Sequence, residues 1–163
     1  MADIEKSGLY KNIEGIQEIR DALVVLIRTE WNAVFVDELE QGCVNTLKQN
    51  NIKTKTVVVP GAVEIPFAIQ HYWRSVKKKE RPQAFIALGC VVRGDTPHFE
   101  YVCQSVTYGI TQLNTRLPVP VIFGVLTVNN EEQARQRLGG EHGHKGEEAA
   151  LTAIKMLLFN HSF

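Results

Sequence analysis

Residues 89–102 read G-C-V-V-R-G-D-T-P-H-F-E-Y-V and directly follow the apolar run A-F-I-A-L at 84–88. The apolar run predicts a buried β-strand, the glycines predict a turn after it, and the segment from His98 onward has a helical pattern. In open α/β sheets, ligands bind at the carboxyl ends of the strands, where loops and helix N-termini converge. We therefore expect residues 89–98 to line a ligand site.

Short β-branched runs alternate with helical periods along the rest of the chain. Strands are predicted at 23–28, 54–59, 84–88 and 119–126. Five helices are predicted. The first begins after Asn32, as an N-cap, and ends at about residue 50; the second runs from Glu64 to Val76, the third from His98 to Leu117 and the fourth over about 130–138. The fifth follows the glycine-rich turn at 139–144 and ends at about residue 159. Strands separated by helices form right-handed crossovers. The pattern therefore predicts an α/β fold, a three-layer α/β/α sandwich with a four-stranded parallel, flavodoxin-like sheet.

Composition limits the classes of protein and partner. The 163 residues suffice for one domain, which we place at 21–163, whereas residues 1–20 have weak periodicity and predict an extended N-terminal arm. Eighteen basic and eighteen acidic side chains balance, which argues against non-specific binding to nucleic acid or to an anionic membrane.

Cysteine usage and the absence of long apolar runs bear on location. Cys43, Cys90 and Cys103 are odd in number and widely spaced, which favours a reducing compartment over a disulfide framework or a zinc site. The first residues lack the apolar stretch of a secretory signal, and no run approaches the roughly 18 residues of a membrane span. We expect a cytoplasmic protein.

The segment at 93–98 offers two candidates for chemistry. His98 begins a predicted helix beside the crevice, and an imidazole there can move protons near neutral pH; the alternative is a surface histidine that caps its own helix. Arg93, Gly94, Asp95 and Thr96 form the preceding turn, whose N–H groups and Thr96 hydroxyl could hold an oxyanion. The alternative is a tight turn in which the glycine supplies a positive φ.

Charged and imidazole side chains flank the turn at 139–144. Arg137 could bind a phosphate through a bidentate fork and Lys145 as a point charge, although from position alone solvation is the favoured interpretation of both. His142 and His144 have a spacing that can ligate a metal, but no third ligand is visible nearby, and zinc needs three or four. We predict no metal site.

Three further residues stand on or after predicted strands. Trp31 follows the first strand and could stack on a planar heterocycle, although most tryptophans are packing residues. Glu64 follows the second strand and could accept hydrogen bonds from hydroxyls or amines, or could act as a helix N-cap. Phe123 lies within the fourth strand, and from position alone it is assigned to the core.

Several blocks in one order resemble the 6,7-dimethyl-8-ribityllumazine synthase family, which makes the penultimate intermediate of riboflavin biosynthesis. The match runs from about Val24 to Leu158. It includes Trp31-Asn32, V-P-G-A-V-E-I-P at 59–66, G-C-V-V-R-G-D-T-P-H-F-E-Y-V at 89–102, P-V-I-F-G-V-L-T at 120–127, E-Q-A-R-Q-R at 132–137 and G-H-K-G-E-E-A-A at 143–150. Any one block is only suggestive, but the five longer blocks in register with this pair are highly specific.

The resemblance implies a reaction without a cofactor or metal. The 5-amino group of 5-amino-6-(D-ribitylamino)uracil condenses with the ketone of 3,4-dihydroxy-2-butanone 4-phosphate, phosphate is eliminated, the ring closes, and water leaves. An enzyme can promote this chemistry by orienting the two substrates, moving protons and holding the leaving phosphate with fixed donors.

The resemblance also implies a role for each matching residue. His98 would carry protons, Trp31 would stack on the pyrimidine and Asn32 would bind near it. Ala62, Val63 and Glu64 would line the ribityl and pyrimidine pocket, with Glu64 on the ribityl hydroxyls. Backbone groups of Cys90, Val91 and Val92 would bind the uracil edge, and Asp95 and Thr96 would contact the phosphate. Phe123, Arg137 and Lys145 would come from the adjacent subunit, with Arg137 on the phosphate.

Four positions depart from the commonest pattern of the family. Glu30 stands where many relatives carry arginine, Val63 where an aromatic is frequent, Val128 where threonine is usual, and His144 where an asparagine precedes the lysine. The first two touch the pocket rim and bear on its affinity. None of the four replaces His98, the implied proton carrier, or Arg137, the implied phosphate-binding residue.

The family further implies pentamers with sites between subunits, and often icosahedral shells of sixty subunits. The short turn at 139–144 lacks the insertion associated with pentamer-only relatives, which predicts a shell of twelve pentamers. Two alternatives to an enzyme remain on the same fold, since a fold does not fix a function: a non-catalytic flavin- or lumazine-binding module, and a chiefly structural shell protein.

Overall fold

The computed structural model describes residues 8–10 and 15–163. A parallel sheet of four strands forms its centre: β1 (Leu23–Thr29), β2 (Lys53–Val59), β3 (Ala84–Val92) and β4 (Val121–Val128). The strands lie in the order β2-β1-β3-β4, and every neighbouring pair is parallel.

Helices cover both faces of the sheet: α1 (Ala33–Gln49), α2 (Ile65–Ser75), α3 (His98–Arg116), the short α4 (Glu131–Arg135) and α5 (Lys145–His161). Because successive strand residues point to opposite faces, β1 sends Leu26 to the core under α1 and α5 and Ile27 to the core under α2 and α3. Both strand faces are buried, which explains the continuous apolar runs. The prediction of a three-layer sandwich with a four-stranded parallel, flavodoxin-like sheet is confirmed.

Strand β3 is four residues longer than predicted, since it reaches Val92 rather than residue 88. Residues 89–92 pair with residues 125–128 of β4, and this pairing keeps the chain extended through Gly89. The pairing of β3 with β1 ends earlier, at Leu88. The predicted turn directly after residue 88 is therefore wrong, and the loop begins at Arg93.

Strand β4 begins two residues later than predicted, at Val121, and ends at Val128. Pro118 and Pro120 precede it and lack the N–H that a strand ladder uses. The carbonyl of Pro120 still accepts a hydrogen bond from the N–H of Phe85 at 2.9 Å. The later end of β4 matches the longer β3.

The turn predicted at 139–144 contains a small antiparallel hairpin of β5 (Leu138–Gly140) and β6 (Gly143–His144). Gly139 and Gly143 have φ angles of 104° and 70°, a region that glycine enters without steric cost. The helix predicted over 130–138 is shorter, because α4 ends at Arg135 and the hairpin follows.

The arm predicted at 1–20 falls partly outside the described residues. Of it, Gly8–Tyr10 and Ile16–Ile19 are short 3-10 turns, and Ile19 is buried in the core under α5. The division into an arm and a domain at 21–163 stays a prediction. Among the described residues, no helix combines the length and apolar character needed to cross a membrane.

Candidate active site

The strand order creates a crevice at the carboxyl ends of β1 and β3. The chain leaves β1 for α1 on one face of the sheet and leaves β3 for α3 on the other. Such a switch point is where open α/β sheets bind ligands. The turns and strand end around it carry most of the predicted site residues: Trp31, Asn32, Ala62, Val63, Glu64, Cys90, Val91, Val92, Asp95, Thr96 and His98.

Asn32 bridges the crevice. It stands at the N-cap position of α1 with φ 58°, but its side chain makes no cap hydrogen bond, so the prediction of a side-chain cap is wrong. Its Nδ2 instead donates to the carbonyl of Cys90 at 2.8 Å. Asparagine tolerates the left-handed backbone region better than most residues. The turn after β1 is thereby tied to the part of β3 that extends beyond its partner.

The end of β3 has no strand beside it on the β1 side, because the β1 pairing stops at Leu88. The Cys90 carbonyl points to that side, since Asn32 binds it there. The N–H of Arg93 points the other way and donates to Val128 on β4 at 2.9 Å. Backbone groups alternate in direction along a strand, so Val92 faces the open side with Cys90, and Val91 faces β4. The crevice therefore contains peptide groups on the open side of a sheet strand.

Trp31 and Glu64 meet at Gly61. The Trp31 indole is 73% exposed, and its backbone is fixed by bonds from its N–H to Pro60 (3.1 Å) and from the Thr29 hydroxyl to its carbonyl (3.2 Å). A methyl group at Gly61 would lie 3.6 Å from the indole and 3.1 Å from the Glu64 carboxylate. The ring and the carboxylate thus adjoin across a residue with no side chain.

Glu64 does not act as the N-cap of α2. It occupies the cap position, but its side chain forms no cap hydrogen bond and is exposed. It ends a short 3-10 turn, Ala62–Glu64, in which Ala62 is buried and Val63 is 45% exposed. The carboxylate is available to a ligand in the crevice.

Arg93 fixes the loop that connects β3 to α3. Its Nε donates to Asn129 Oδ1 at 2.9 Å, its Nη1 pairs with the Glu100 carboxylate, and its guanidinium lies 4.2 Å from the centre of the Phe99 ring. This hydrogen bond from Arg93 holds the pKa of the Glu100 carboxyl below its usual value. The guanidinium is thus engaged by residues of α3 and by Asn129 after β4. Gly94 does not have a positive φ, so that explanation of the turn is wrong.

His98 is the first residue of α3 and is exposed. Pro97 occupies the cap position, and no hydrogen bond of the His98 ring to another described residue is found. The alternative in which His98 caps its own helix is therefore not observed. Asp95 and Thr96 are exposed beside it, and the Thr96 hydroxyl accepts weakly from the backbone N–H of His98 at 3.5 Å. The imidazole is open to a ligand held by this loop.

The remaining predicted residues form a second group along β4 and α5. Phe123 is 41% exposed, so its assignment to the core from position alone is wrong. Among the described residues β4 is an edge strand, and a side chain there lacks cover on one side. A groove of about 640 Å³ follows the edge and is lined by Phe123 and Lys145.

Lys145 and Arg137 are linked by their backbones. The N–H of Lys145 donates to the Arg137 carbonyl at 2.9 Å, and Nη1 of Arg137 donates to the Gln133 carbonyl at 2.8 Å. Lys145 is only 7% exposed, and its Nζ lies 2.5 Å from Oε1 of Glu148. A buried ammonium requires such a partner. The solvated interpretation is wrong for Lys145, while Arg137 is half-buried.

The two groups stay separate within one chain. Across residues 8–10 and 15–163, no hydrogen bond or ion pair was found between a site side chain of the crevice and Phe123, Arg137 or Lys145. One chain therefore presents a crevice with exposed polar groups and, elsewhere, a groove lined by Phe123, Lys145 and Glu148, with Arg137 joined to Lys145 through the backbone.

The described residues contain no group of three or more side chains that could hold a metal ion. Nδ1 of His144 already accepts hydrogen bonds from two N–H groups of α5. Burial raises the pKa of the Cys90 thiol to about 12, so this sulfur stays protonated near neutral pH and is a poor nucleophile. His98 and the carboxylates of Glu64 and Asp95 are exposed around the crevice.

Two functional contacts escaped prediction. Thr29 is the one polar side chain among those of β1 that are almost fully buried, and it holds the Trp31 carbonyl; a threonine at the end of an apolar strand was the available signal. The role of the Arg93 side chain in fixing its loop was not predicted, since only the N–H groups of the turn and the Thr96 hydroxyl were considered there. The partner of Arg93, Asn129, is 36 residues away, and no local pattern connects them.

Comparison with known proteins identifies the family. The family model described as 6,7-dimethyl-8-ribityllumazine synthase matches residues 21–161. The chain belongs to this family. It is 44% identical to 6,7-dimethyl-8-ribityllumazine synthase of Parabacteroides distasonis, over 93% of this chain and 92% of that protein. The enzymes of the same name from Porphyromonas gingivalis (90% and 89% covered) and Phocaeicola vulgatus (92% and 87% covered) are each 43% identical to it.

Lumazine synthase relatives thus align with nearly the whole described chain, so both groups of residues, the crevice and the groove, lie within the matched range. The resemblance predicted from five sequence blocks is confirmed at the level of the family.

Proposed function

We propose that this chain condenses 5-amino-6-(D-ribitylamino)uracil with 3,4-dihydroxy-2-butanone 4-phosphate, giving 6,7-dimethyl-8-ribityllumazine with loss of phosphate and water. The amine attacks the ketone carbon C2 and water leaves to form an imine. Loss of a proton from C3 then expels phosphate from C4, and the ribitylamino nitrogen closes the second ring on C3 with loss of a second water. The observation that carries the proposal is the open end of β3 beside Asn32 and Trp31. The names of the relatives support it.

The crevice suits the pyrimidine. A uracil edge alternates donors and acceptors in one plane, as does the backbone of Cys90 and Val92 on the open side of β3. The exposed Trp31 ring can stack on such a heterocycle, and Glu64 beside it can accept hydrogen bonds from ribityl hydroxyls. Ala62 and Val63 line the same turn, with Val63 offering less cover than an aromatic side chain.

The loop at 93–98 suits the butanone phosphate and its proton transfers. Asp95 and Thr96 are exposed on a loop that Arg93 holds in place. Backbone N–H groups of this loop and the Thr96 hydroxyl can donate to a phosphate, and fixed donors stabilise a leaving anion without reorganisation. His98 has an exposed imidazole, the side chain that most often serves as a general acid or base. It can take a proton from the amine and return it to the departing water.

We propose that Phe123, Arg137 and Lys145 complete the site of a neighbouring subunit. The edge of β4 is open and lined by a groove, and an unpaired sheet edge is a ready interface. The half-buried Arg137 can give its remaining N–H groups to a phosphate. We further propose pentamers assembled into a shell of sixty subunits, and a cytoplasmic location that is supported by three free thiols.

The activity is tested by mixing both substrates with the protein and following lumazine absorbance. A rate above that of the spontaneous reaction is expected. No excess rate, with lumazine bound tightly, would overturn the proposal in favour of a binding module.

The shared site is tested by coassembly of two inactive variants. His98→Ala and Arg137→Ala are each expected to be impaired. If the two are mixed equally, unfolded and reassembled, about a quarter of the sites should be intact, because a site needs His98 from one subunit and Arg137 from its neighbour, and each is present with a probability of about one half. Arg137→Ala mixed with the double variant His98→Ala/Arg137→Ala is the control and should recover nothing. No recovery in the first mixture would contradict sites between subunits.

The shell is tested by light scattering after gel filtration. Sixty chains of 18.3 kDa make about 1.1 MDa, whereas a protein that elutes only as a pentamer contradicts the shell.

A further inference from the structure

His144 occupies the junction between β6 and α5. Its Nδ1 accepts hydrogen bonds from the backbone N–H groups of Gly146 at 3.2 Å and Glu147 at 3.4 Å. The first N–H groups of a helix have no partner within the helix, and serine, threonine, aspartate or asparagine usually supplies one. Here an imidazole nitrogen acts as the cap.

The His144 ring is enclosed by glycines of two helices. A methyl group at Gly42, in the middle of α1, would lie 2.2 Å from Cε1 of the ring and 2.6 Å from Nδ1. A methyl group at Gly146 would lie 2.1 Å from the Leu39 carbonyl and 3.1 Å from the same Cε1. Glycine is unfavourable inside a helix, so Gly42 is best explained by the space that the ring needs.

The His144 ring adjoins the two segments that carry Lys145 and Arg137. Lys145 directly follows His144 as the first residue of α5, and its N–H donates to the Arg137 carbonyl at 2.9 Å. Leu138, next to Arg137, pairs with His144 in the small hairpin. Backbone contacts therefore connect His144 to both residues.

We propose that His144 is a positioning residue for Arg137 and Lys145: its ring, seated against Gly42, caps α5 and fixes the place from which these two side chains meet the phosphate-bearing substrate. This inference rests on the proposed role of Arg137. It assigns no contact between His144 and the substrate.

The first test measures KM for each substrate in His144→Ala and His144→Asn. Loss of the cap in His144→Ala should raise KM for the butanone phosphate about fivefold or more and change KM for the pyrimidine less than about twofold. Asparagine can cap α5, so His144→Asn should restore the first KM to within about twofold of the original. His142→Ala, an exposed histidine two residues away, is the matched control and should change neither. Equal changes of both KM values, or no rescue by asparagine, would overturn the proposal.

The second test uses Gly42, so that the outcome does not depend on how well His144→Ala folds. Gly42→Ala displaces the ring and should also raise KM for the butanone phosphate. Adding His144→Asn should remove most of that rise, because the shorter amide leaves room for the methyl group. Additive effects in the double variant would contradict the proposed fit of ring and glycine.

Arg137→Ala is measured in parallel. If it raises KM for the butanone phosphate and His144→Ala does not, the inference about His144 fails while the proposed function stands. If Arg137→Ala has no effect on this KM although lumazine forms, the phosphate role of Arg137 fails, and the inference fails with it.

Discussion

The amide of Asn32 donates to the carbonyl of Cys90 across 2.8 Å, joining two residues that lie 58 positions apart. The bond closes the switch point between β1 and β3. It also leaves one lone pair of the Cys90 carbonyl and the backbone of Val92 on the open side of β3. The geometry of the proposed pyrimidine pocket therefore depends on this bond.

Asn32→Asp removes the donor and sets a carboxylate against the carbonyl. We expect a loss of about 1–3 kcal/mol in the free energy of unfolding and a higher KM for the pyrimidine, measured by urea titration and steady-state kinetics. Asn45→Asp, on the exposed face of the same helix, should change stability by less than about 0.5 kcal/mol. Equal effects of the two substitutions would mean that charge on α1, rather than this bond, is responsible.

His98→Gln removes the proposed proton carrier from the start of α3. We expect kcat to fall by about 10²–10⁴ with little change in stability, because the ring is exposed. His142→Gln is the control and should leave kcat unchanged. An unchanged kcat in His98→Gln would show that another group moves the proton.

Arg137→Ala removes a guanidinium whose backbone is tied to Lys145. Hydrogen bonds to charged groups contribute about 1.5–3 kcal/mol, so KM for the butanone phosphate should rise by roughly 10- to 100-fold, and KM for the pyrimidine should stay nearly constant. Arg135→Ala, which loses an exposed pair with Glu131 and a contact of its guanidinium with the Phe35 ring, should change neither. A rise of equal size for both substrates would contradict a specific phosphate contact.

Glu100→Gln probes the loop that Arg93 fixes. The pKa of Glu100 is lowered mainly by its hydrogen bond from Arg93. A carboxyl whose pKa is lower in the folded state stabilises the protein above its unfolded pKa, about 4.3, and loses this contribution as the pH falls through the folded value. The variant should therefore be less stable than the original at neutral pH, and the difference should shrink below about pH 4.3.

Urea midpoints across this pH range measure the effect, with Glu38→Gln on the exposed face of α1 as the control. If the stability difference between Glu100→Gln and the original protein grew towards acid pH, it would contradict the proposed stabilisation by the Arg93–Glu100 pair.

The sheet and its covering helices were predictable because their signals are local. Apolar runs of strand length alternate with helical periods, and prolines and glycines separate them. The ends of β3 and β4 were not predictable in this way. Residues 89–92 extend because β4 lies beside them, and that neighbour comes from more than thirty residues further along the chain.

The crevice residues could be located from their places after strands, whereas their contacts could not. Asparagine is a residue type that often caps helices, but the Asn32 amide donates instead to the Cys90 carbonyl on the extended end of β3. Phe123 has the pattern of a core residue, yet it lies on an edge strand. The fit of the His144 ring to Gly42 joins positions about a hundred residues apart and leaves no trace in either local pattern.

The end of β3 pairs with β4 but is open on the β1 side, and this has a consequence for how the binding preference of the protein can change. If the pyrimidine is recognised by peptide groups of Cys90 and Val92, the recognised pattern is the same for every amino acid at these positions except proline, which lacks an N–H. Point mutations can then alter the shape and cover of the pocket but not its central donor and acceptor pattern. Selectivity for the heterocycle would then change slowly in evolution, whereas side chains at the pocket rim, such as Glu30 and Val63, could be replaced more readily.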